Sequence, residues 1–587
     1  MKINKISIII AFSFFATSCS HYNIRGNINS SLFDPIEDMH ISEEINYADP
    51  STSLVAGSPF DALIKDAFSK NQHYINVLNV GGDALLAWIH LIRMARKSIN
   101  IQTFIWGNDT TERFLAYELL EAAKRGVKVN IIIDDLGNKK GPKNEAILTT
   151  VSPNLRVKYY NPIAKRVKYS KLRLVGSLIT DFKKLNQRMH NKVFIVDDRV
   201  AITGGRNYQE EYFDRGRRRN FKDRSCLIIG PVVKKMTDSF MDYWAFKWSV
   251  SSYDRIGIKN ESKDDAENHF NTEESFKLGN IFDEVDKRAS DYPYIKNMFT
   301  EKAYLVDSVR FIADGPGKTE SSKVFKSSSV AKELSEFISD AQKSIIIQTP
   351  YLILPKKGEK VFKKLRRRNP DIDIRVSTNS LSATDHFIAY ALSYQNKKKY
   401  LKKLRWRIFE LKHKPADVDL FTPPINLAER TKDYYTCLHA KTYVVDNEKV
   451  FIGSFNVDPR SIDLNTETGL LIYDKKVAQD VANDILRDMA PQNSWTIGKH
   501  KKLPVIAHFS EVLEDILKIV PIVDIWPYSY STSFELIEGK EELPFYHQDF
   551  YKHYKPVGPF PDVAGTQKEI KTRLFKALFG KVSEPLI

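Results

Sequence analysis

The chain of 587 residues is long enough for several domains, and its 42% hydrophobic and 28% charged content, with 25 Gly and 25 Pro, excludes collagen-like, disordered and multi-span membrane classes. Lys and Arg number 89 against 73 Asp and Glu, and the resulting +16 favours phosphate-bearing partners, nucleic acid or anionic lipid, without choosing between them. Three cysteines exclude a disulfide scaffold and a cysteine-based zinc module.

Residues 1–19 read as an export signal: Lys2 and Lys5 precede a short apolar run over 6–16, which ends in Ala16-Thr17-Ser18-Cys19. The run is shorter than the ~20 residues that span a bilayer. Small residues ahead of Cys19 resemble a bacterial lipoprotein signal, although Ala16 stands where Leu is more usual. That resemblance implies a diacylated Cys19 as the first mature residue. It also implies a lipid-anchored protein of the bacterial cell envelope, on the periplasmic side of a membrane. Cys226 and Cys437 remain, and the sequence leaves open whether they pair.

Farther along, amphipathic periodicity predicts helices over 83–95 and 111–125, and apolar runs predict strands over 99–103 and 127–133. The same succession returns later: helix over 331–341, strand over 345–349, helix over 357–368, strand over 372–376. Ala95-Arg96-Lys97-Ser98-Ile99 is matched by Ala341-Gln342-Lys343-Ser344-Ile345, 246 positions on. Alternating helix and strand argues for an α/β unit occurring twice.

A stronger repeat lies inside these units. His190, Lys192, Asp197, Gly204 and Asn207 recur as His439, Lys441, Asp446, Gly453 and Asn456, each 249 positions later. His and Lys two apart on a strand present an imidazole and an ammonium on one face, with Val193, Ile195, Tyr443 and Val445 expected on the other. Two packed copies then set two imidazoles across one gap flanked by two lysines. That set suits phosphodiester chemistry. One histidine attacks phosphorus to form a phosphohistidine, and the other protonates the leaving alkoxide and deprotonates the incoming water or alcohol. Lys192 and Lys441 stabilise the charged transition state. Asn207 and Asn456 add neutral donors, and Gly205 and Ser454 lie where the backbone approaches phosphate. No metal and no cofactor are expected, because the lysines supply the positive charge. Asp197 and Asp446 fall an odd number of residues from their histidines, which points to an orienting or turn role.

These residues are similar to those of the phospholipase D superfamily, which carries two such HKD motifs. Residues 200–213 (VAITGGRNYQEEYF), 378–385 (TNSLSATD) and 458–469 (DPRSIDLNTETG) most resemble its bacterial cardiolipin synthase C-type branch. The resemblance implies a duplicated α/β/α sandwich, two halves related by a pseudo-twofold axis with the active site between them. It implies transfer of a phosphatidyl group to phosphatidylglycerol, with phosphatidylglycerol and phosphatidylethanolamine as candidate lipids at a membrane surface. It places Asp197 and Asp446 in the catalytic set, makes His190 the nucleophile and His439 the acid–base, and matches Glu467 to an acidic residue beside the catalytic histidine. Asp223 is a candidate counterpart in the first half, at a different distance from its Asn. A Lys-rich stretch over 394–404 departs from the branch and bears on acceptor choice.

The expected organisation is a signal over 1–19, an N-terminal segment over 20–75, a first domain over 76–250, a linker over 251–320, a second domain over 321–490 and an extension over 491–587. Basic runs at 215–219 and 363–368 read as a candidate headgroup contact and a solvated helix face, respectively. Residues 569–579 form an amphipathic helical pattern, for a membrane interface or for packing on the protein. Hydrolysis of phospholipid to phosphatidic acid is the alternative activity. An HKD nuclease is a further one, although the export signal argues against nucleic acid. Oligomeric state is not legible.

Overall fold

The computed structural model describes residues 57–138, 152–162, 186–254, 282–318, 329–423, 430–501 and 530–563. The signal with Cys19, and the pattern over 569–579, lie outside the described residues.

In the first half, β1 (His73–Leu78) leads into α1 (Gly81–Met94), β2 (Ser98–Thr103), α2 (Thr110–Lys124), β3 (Lys128–Asp134) and β4 (Leu155–Tyr160). Asp109 starts α2 by accepting the Glu112 N–H at 2.9 Å. Strands β2, β3 and β4 pair in parallel and are covered on both faces, which is why 129–133 reads as a near-continuous apolar run. The chain continues through β5 (Val193–Val196), β6 (Val200–Gly204), β7 (Arg219–Lys222), β8 (Ser225–Ile229), α3 (Val232–Ala245), β9 (Ser249–Ser251) and β10 (Tyr304–Val306).

The second half repeats this plan. It runs β11 (Val309–Ala313), α4 (Ser329–Ser339), β12 (Ser344–Gln348), α5 (Lys356–Arg368), β13 (Asp373–Asn379), α6 (Phe387–Leu404) and β14 (Arg407–Leu411). Next come β15 (Tyr435–Leu438), β16 (Thr442–Val445), β17 (Lys449–Gly453), β18 (Thr468–Ile472), α7 (Lys475–Met489), β19 (Ser494–Lys499), β20 (Ser531–Leu536) and β21 (Tyr554–Gly558). The first sheet has the order β10-β1-β8-β6-β5-β2-β3-β4-β9 and the second β11-β18-β17-β16-β12-β13-β14-β19-β20-β21. From β1 and β11 onward the two orders correspond strand for strand until β20.

Helices α1 and α2 cover the outer face of the first sheet, and α4, α5 and α6 that of the second. Between the sheets lie α3 and α7. Met236, Phe240 and Tyr243 of α3 and Val481, Ala482 and Ile485 of α7, spaced three and four apart, pack with Val193 and Ile195 from one sheet and Val444 and Leu470 from the other. The layered, duplicated α/β/α architecture expected from the repeat is therefore present. Among the described residues, no helix is long and apolar enough to cross a membrane.

Several expectations are revised. The second sheet begins with β11 at Val309, inside the expected linker, and includes β19 to β21, which were assigned to an extension beyond 490. The first sheet begins at His73. His190 and Lys192 stand just before β5, and His439 and Lys441 just before β16. Tyr443 and Val445 correspond in register to Phe194 and Val196 and pack in the outer core of their half, whereas Val193 and Ile195 face the inner layer. Both faces of these strands are buried, so alternation carried no signal there. Cys226 and Cys437 are free, buried and in different cores.

Candidate active site

Among the described residues, two short backbone pairings join the halves. Strand β7 of the first half pairs in parallel with β15 of the second, and Met189 of the first bridges Thr466 of the second. Each pairing delivers one histidine. The His439 N–H donates to the Lys222 carbonyl at 2.8 Å, and the His190 N–H to the Thr466 carbonyl at 2.9 Å. The residue after each acceptor is an acid, Asp223 in one case and Glu467 in the other.

The acids therefore cross over. His439 Nδ1 lies 2.6 Å from Asp223 Oδ2, and His190 Nδ1 lies 2.8 Å from Glu467 Oε2. Each imidazole takes its carboxylate from the opposite half. Glu467 already accepts the Ser454 hydroxyl on Oε2 and the Ser461 hydroxyl on Oε1 at 2.7 Å. The His190 ring accordingly donates from Nδ1, and its Nε2 is left bare.

Buried frameworks hold both acids. Arg206 fixes the Asp223 carbonyl at 2.8 Å while also binding the carbonyls of Leu78, Asn79 and Tyr212. Asp314 brackets the Glu467 backbone, accepting its N–H on the side-chain Oδ2 at 3.0 Å and donating its own N–H to the Glu467 carbonyl at 2.9 Å. Asp134, at the end of β3, accepts the Met189 N–H at 2.8 Å, and Asn379, at the matching end of β13, accepts the Leu438 N–H at 2.8 Å. The residues just ahead of both histidines are thus pinned in the same way.

Lys192 donates to the His190 carbonyl at 2.8 Å, and Lys441 stands 2.8 and 3.0 Å from the two ring nitrogens of His439. Phe104 packs against His190 at 5.4 Å, and Tyr212 and Phe221 against His439, each at 5.1 Å. Burial sets the electrostatics. It pulls the Lys192 ammonium down to about 7 and the Lys441 ammonium down to about 8, against the pull of Glu467 and Asp223 respectively. Burial lowers His190 well below its ordinary range, helped by Lys192, Lys441, His439 and Arg460. It also lowers His439 to about 4, although Asp223 works the other way. The two acids diverge. Burial pushes Glu467 up to about 8, whereas for Asp223 burial is outweighed by His439, Lys441 and Arg206, which hold its carboxyl below the usual range.

Asp197 and Asp446 are corrected as members of the reacting set. Asp197 accepts the N–H groups of Arg96, Lys97 and Ser98 at 2.9, 2.7 and 2.8 Å, and Asp446 those of Gln342, Lys343 and Ser344 at 2.8, 2.6 and 2.8 Å. Each also sits with positive φ in a tight turn, Asp197-Asp198 at 53° and 57° and Asp446-Asn447 at 56° and 56°. They fasten a hairpin to the start of the neighbouring strand. Ser454 and Gly205 likewise serve the acids. The Ser454 hydroxyl is spent on Glu467, and a Cβ at Gly205 would lie 2.2 Å from Asp223 Oδ1. Asn207 bridges the Ile105 N–H at 3.1 Å and the Tyr212 hydroxyl at 2.9 Å within the first half, while Asn456 is buried in the second. Arg215, from the basic run, is buried over Phe282, and Arg219 makes a paired bond to Glu211, leaving only Arg217 and Arg218 of that run exposed.

Asp223 is the residue that counting from the motif locates poorly. Its signal lies in strand register. Gly204 pairs with Ser225 and Gly453 with Gly469, so Asp223 and Glu467 each lie two residues before the partner of an equivalent glycine.

The family described as cardiolipin synthase, PLD-like domain, matches residues 88–244 and 334–489. A cardiolipin synthase C of Escherichia coli strain K12 is 32% identical over 473 residues, 75% of this chain and 93% of that protein. An uncharacterised Helicobacter pylori protein is 33% identical over 496 residues, 84% of this chain and 90% of that protein. Among solved structures, a phosphatidylserine synthase of Haemophilus influenzae Rd KW20 superposes with a TM-score of 0.50 at 16% identity, covering 77% of this chain and 95% of that one. The chain belongs to the phospholipase D-like cardiolipin synthase family, with the motif-bearing domain present twice.

Proposed function

We propose that this chain is a phosphatidyltransferase that makes cardiolipin from two phospholipids at a membrane surface. The observation that carries the reading is the crossed pair of carboxylate–imidazole couples, which makes one site from two halves. In the first step, His190 Nε2 attacks the donor phosphorus, the P–O bond to the headgroup breaks, and His439 gives its Nε2 proton to the departing alkoxide. In the second, a hydroxyl of phosphatidylglycerol loses its proton to His439 and attacks phosphorus, and the P–N bond to His190 breaks. Lys192 and Lys441 carry the charge of both transition states.

The assignment of roles follows from charge. His190 is buried and ringed by cations, so its neutral form is favoured, as a nucleophile requires. His439 is also lowered by burial and by Lys441, but the ionised Asp223 carboxylate on its Nδ1 works against both and is the group that can steady a proton held there during transfer, a counterweight His190 lacks. The chain's start supports a lipid anchor on Cys19, facing the periplasm of a bacterial envelope. Mass spectrometry of the N-terminal peptide from membranes is expected to find diacylated Cys19, and an unmodified cysteine removes the anchor.

The deciding assay uses full-length protein with mixed phosphatidylglycerol and phosphatidylethanolamine vesicles. Cardiolipin is the expected product. Phosphatidic acid alone points to the hydrolase, and plasmid cleavage in EDTA to the nuclease. His190→Ala and His439→Ala each abolish turnover, with ³²P-phosphoenzyme trapped only in His439→Ala. Label trapped in His190→Ala reverses the two roles.

A further inference from the structure

The segment over 378–385 (TNSLSATD) has no part in the steps above, yet it ends beside them. It leaves β13 at Asn379, whose amide brackets Leu438 with two bonds of 2.8 Å, and Leu438 is the residue before His439. Asp385, at the far end of the segment, makes a backbone contact with the thiol of Cys437, two residues before His439. Asp385 is exposed, and its charge acts on His439 and Lys441. The Tyr351 hydroxyl stands 3.1 Å from both of its oxygens. The Tyr351 ring is packed edge-on against His386 at 5.8 Å, and His386 is itself fixed as the cap of α6 through Nδ1. An exposed carboxylate is therefore held in one orientation beside the acid–base histidine.

The equivalent position beside His190 is filled differently, by an arginine that is ion-paired with the buried Asp134. Arg188, two residues before His190, corresponds to Cys437, and the cation Arg460 acts on His190. A site that handles anionic phosphodiesters gains nothing for phosphate binding from a carboxylate. Its use must lie with the non-phosphate part of the substrate. His439 exchanges protons with the alcohol that leaves and the alcohol that enters, so that part is the alcohol. The two Asp385 oxygens share one phenolic donor and retain lone pairs for further donors.

Resting on the phosphatidyl-transfer reading, we infer that Asp385, oriented by Tyr351, is the specificity-determining residue for the alcohol. It accepts from a hydrogen-bond donor on the carbon next to the one that bears the reacting oxygen, as in a glycerol or ethanolamine headgroup. Water and simple alcohols lack that donor, so the contact favours transfer over hydrolysis.

The test isolates the alcohol by giving the enzyme a donor with no natural headgroup. Full-length protein is supplied with vesicles of phosphatidyl-p-nitrophenol and equal concentrations of glycerol and 1-propanol. Release of p-nitrophenolate reads the first step, and the two phosphatidyl products read acceptor choice. Wild-type protein is expected to favour glycerol. Asp385→Asn is expected to lower the glycerol-to-propanol ratio about tenfold, the value of one hydrogen bond to a charged acceptor, and Tyr351→Phe about threefold. Replacing glycerol with ethanolamine shows whether hydroxyl or ammonium is the preferred donor group. An unchanged ratio in Asp385→Asn overturns the inference. So does equal loss of both products in both variants, which marks the residues as structural. No p-nitrophenolate from the wild-type protein instead removes the phosphatidyl-transfer reading itself.

Discussion

Two residues before His190 stands Arg188, fully buried, ion-paired with Asp134 and bonded to the Asn161 carbonyl at 3.0 Å. Two residues before His439 stands Cys437, neutral and buried. Beyond these positions the halves keep diverging. Gly205 is opposed by Ser454, Asp223 by Glu467, and Arg206 by Phe455. The strand order, the turns and the motif have stayed alike, because they place the imidazoles. The groups around each imidazole have separated, because the two histidines need different proton affinities. Pseudo-symmetry in this molecule thus governs position, and departures from it govern chemistry.

The comparison breaks most readily at the acids. Asp223→Asn is expected to cut kcat/KM about 10³-fold, by removing the charge that supports the His439 imidazolium. Glu467→Gln is expected to cost about 10²-fold, since its carboxamide still accepts the Nδ1–H of His190. Equal losses, measured with the same vesicles, leave the two couples without distinct roles.

Somewhat smaller is the effect of the paired residues beneath the acids. Gly205→Ala forces Asp223 aside and is expected to lower kcat/KM about 50-fold. Ser454→Ala removes one of two hydroxyls from Glu467 and is expected to lower it about fivefold. The reverse order means that Asp223 shifts without consequence.

The smallest effect, and the one that sharpens the contrast, is pH dependence. Burial raises Glu467 to about 8, so the ionised carboxylate that accepts the His190 Nδ1–H is populated only as pH rises and the carboxyl loses its proton. Burial lowers Lys192 to about 7, so its ammonium empties over a neighbouring range. The kcat/KM profile is expected to be a narrow bell between about pH 7 and 8, changing several-fold across either limb. In Glu467→Gln the acid limb disappears while the alkaline limb stays. An unaltered acid limb assigns it to another group.

Much of this architecture was legible before any coordinates. Motif residues at a constant spacing of 249 announced the duplication, and helix and strand periodicity located the parallel core of each half. The crossing of acids was not legible, because it depends on ribbons formed between residues far apart, such as Tyr435 with Arg219. Asp223 was obscured by the longer excursion between Asn207 and β7, which no motif spacing anticipates. The inward and outward faces of β16 were misread because both are buried, so that hydrophobicity along 442–445 carries no phase. Asp197 and Asp446 recur with the histidines although they touch neither. A residue that anchors the hairpin is as bound to the motif's spacing as one that reacts.

The passage from Val306 to Val309 has a further consequence. Val306 closes an edge strand of the first sheet and Val309 opens one of the second, with only Asp307 and Ser308 between them. Three Cα steps reach about 11 Å at most, so the rims of the two sheets are stitched together at that corner. The short link limits how far one sheet can slide past the other, and a slide is a displacement that works against the crossed histidine–acid contacts. The stitch ties two lookalike halves at one rim, so that the covalent chain itself helps keep their crossed couples in register.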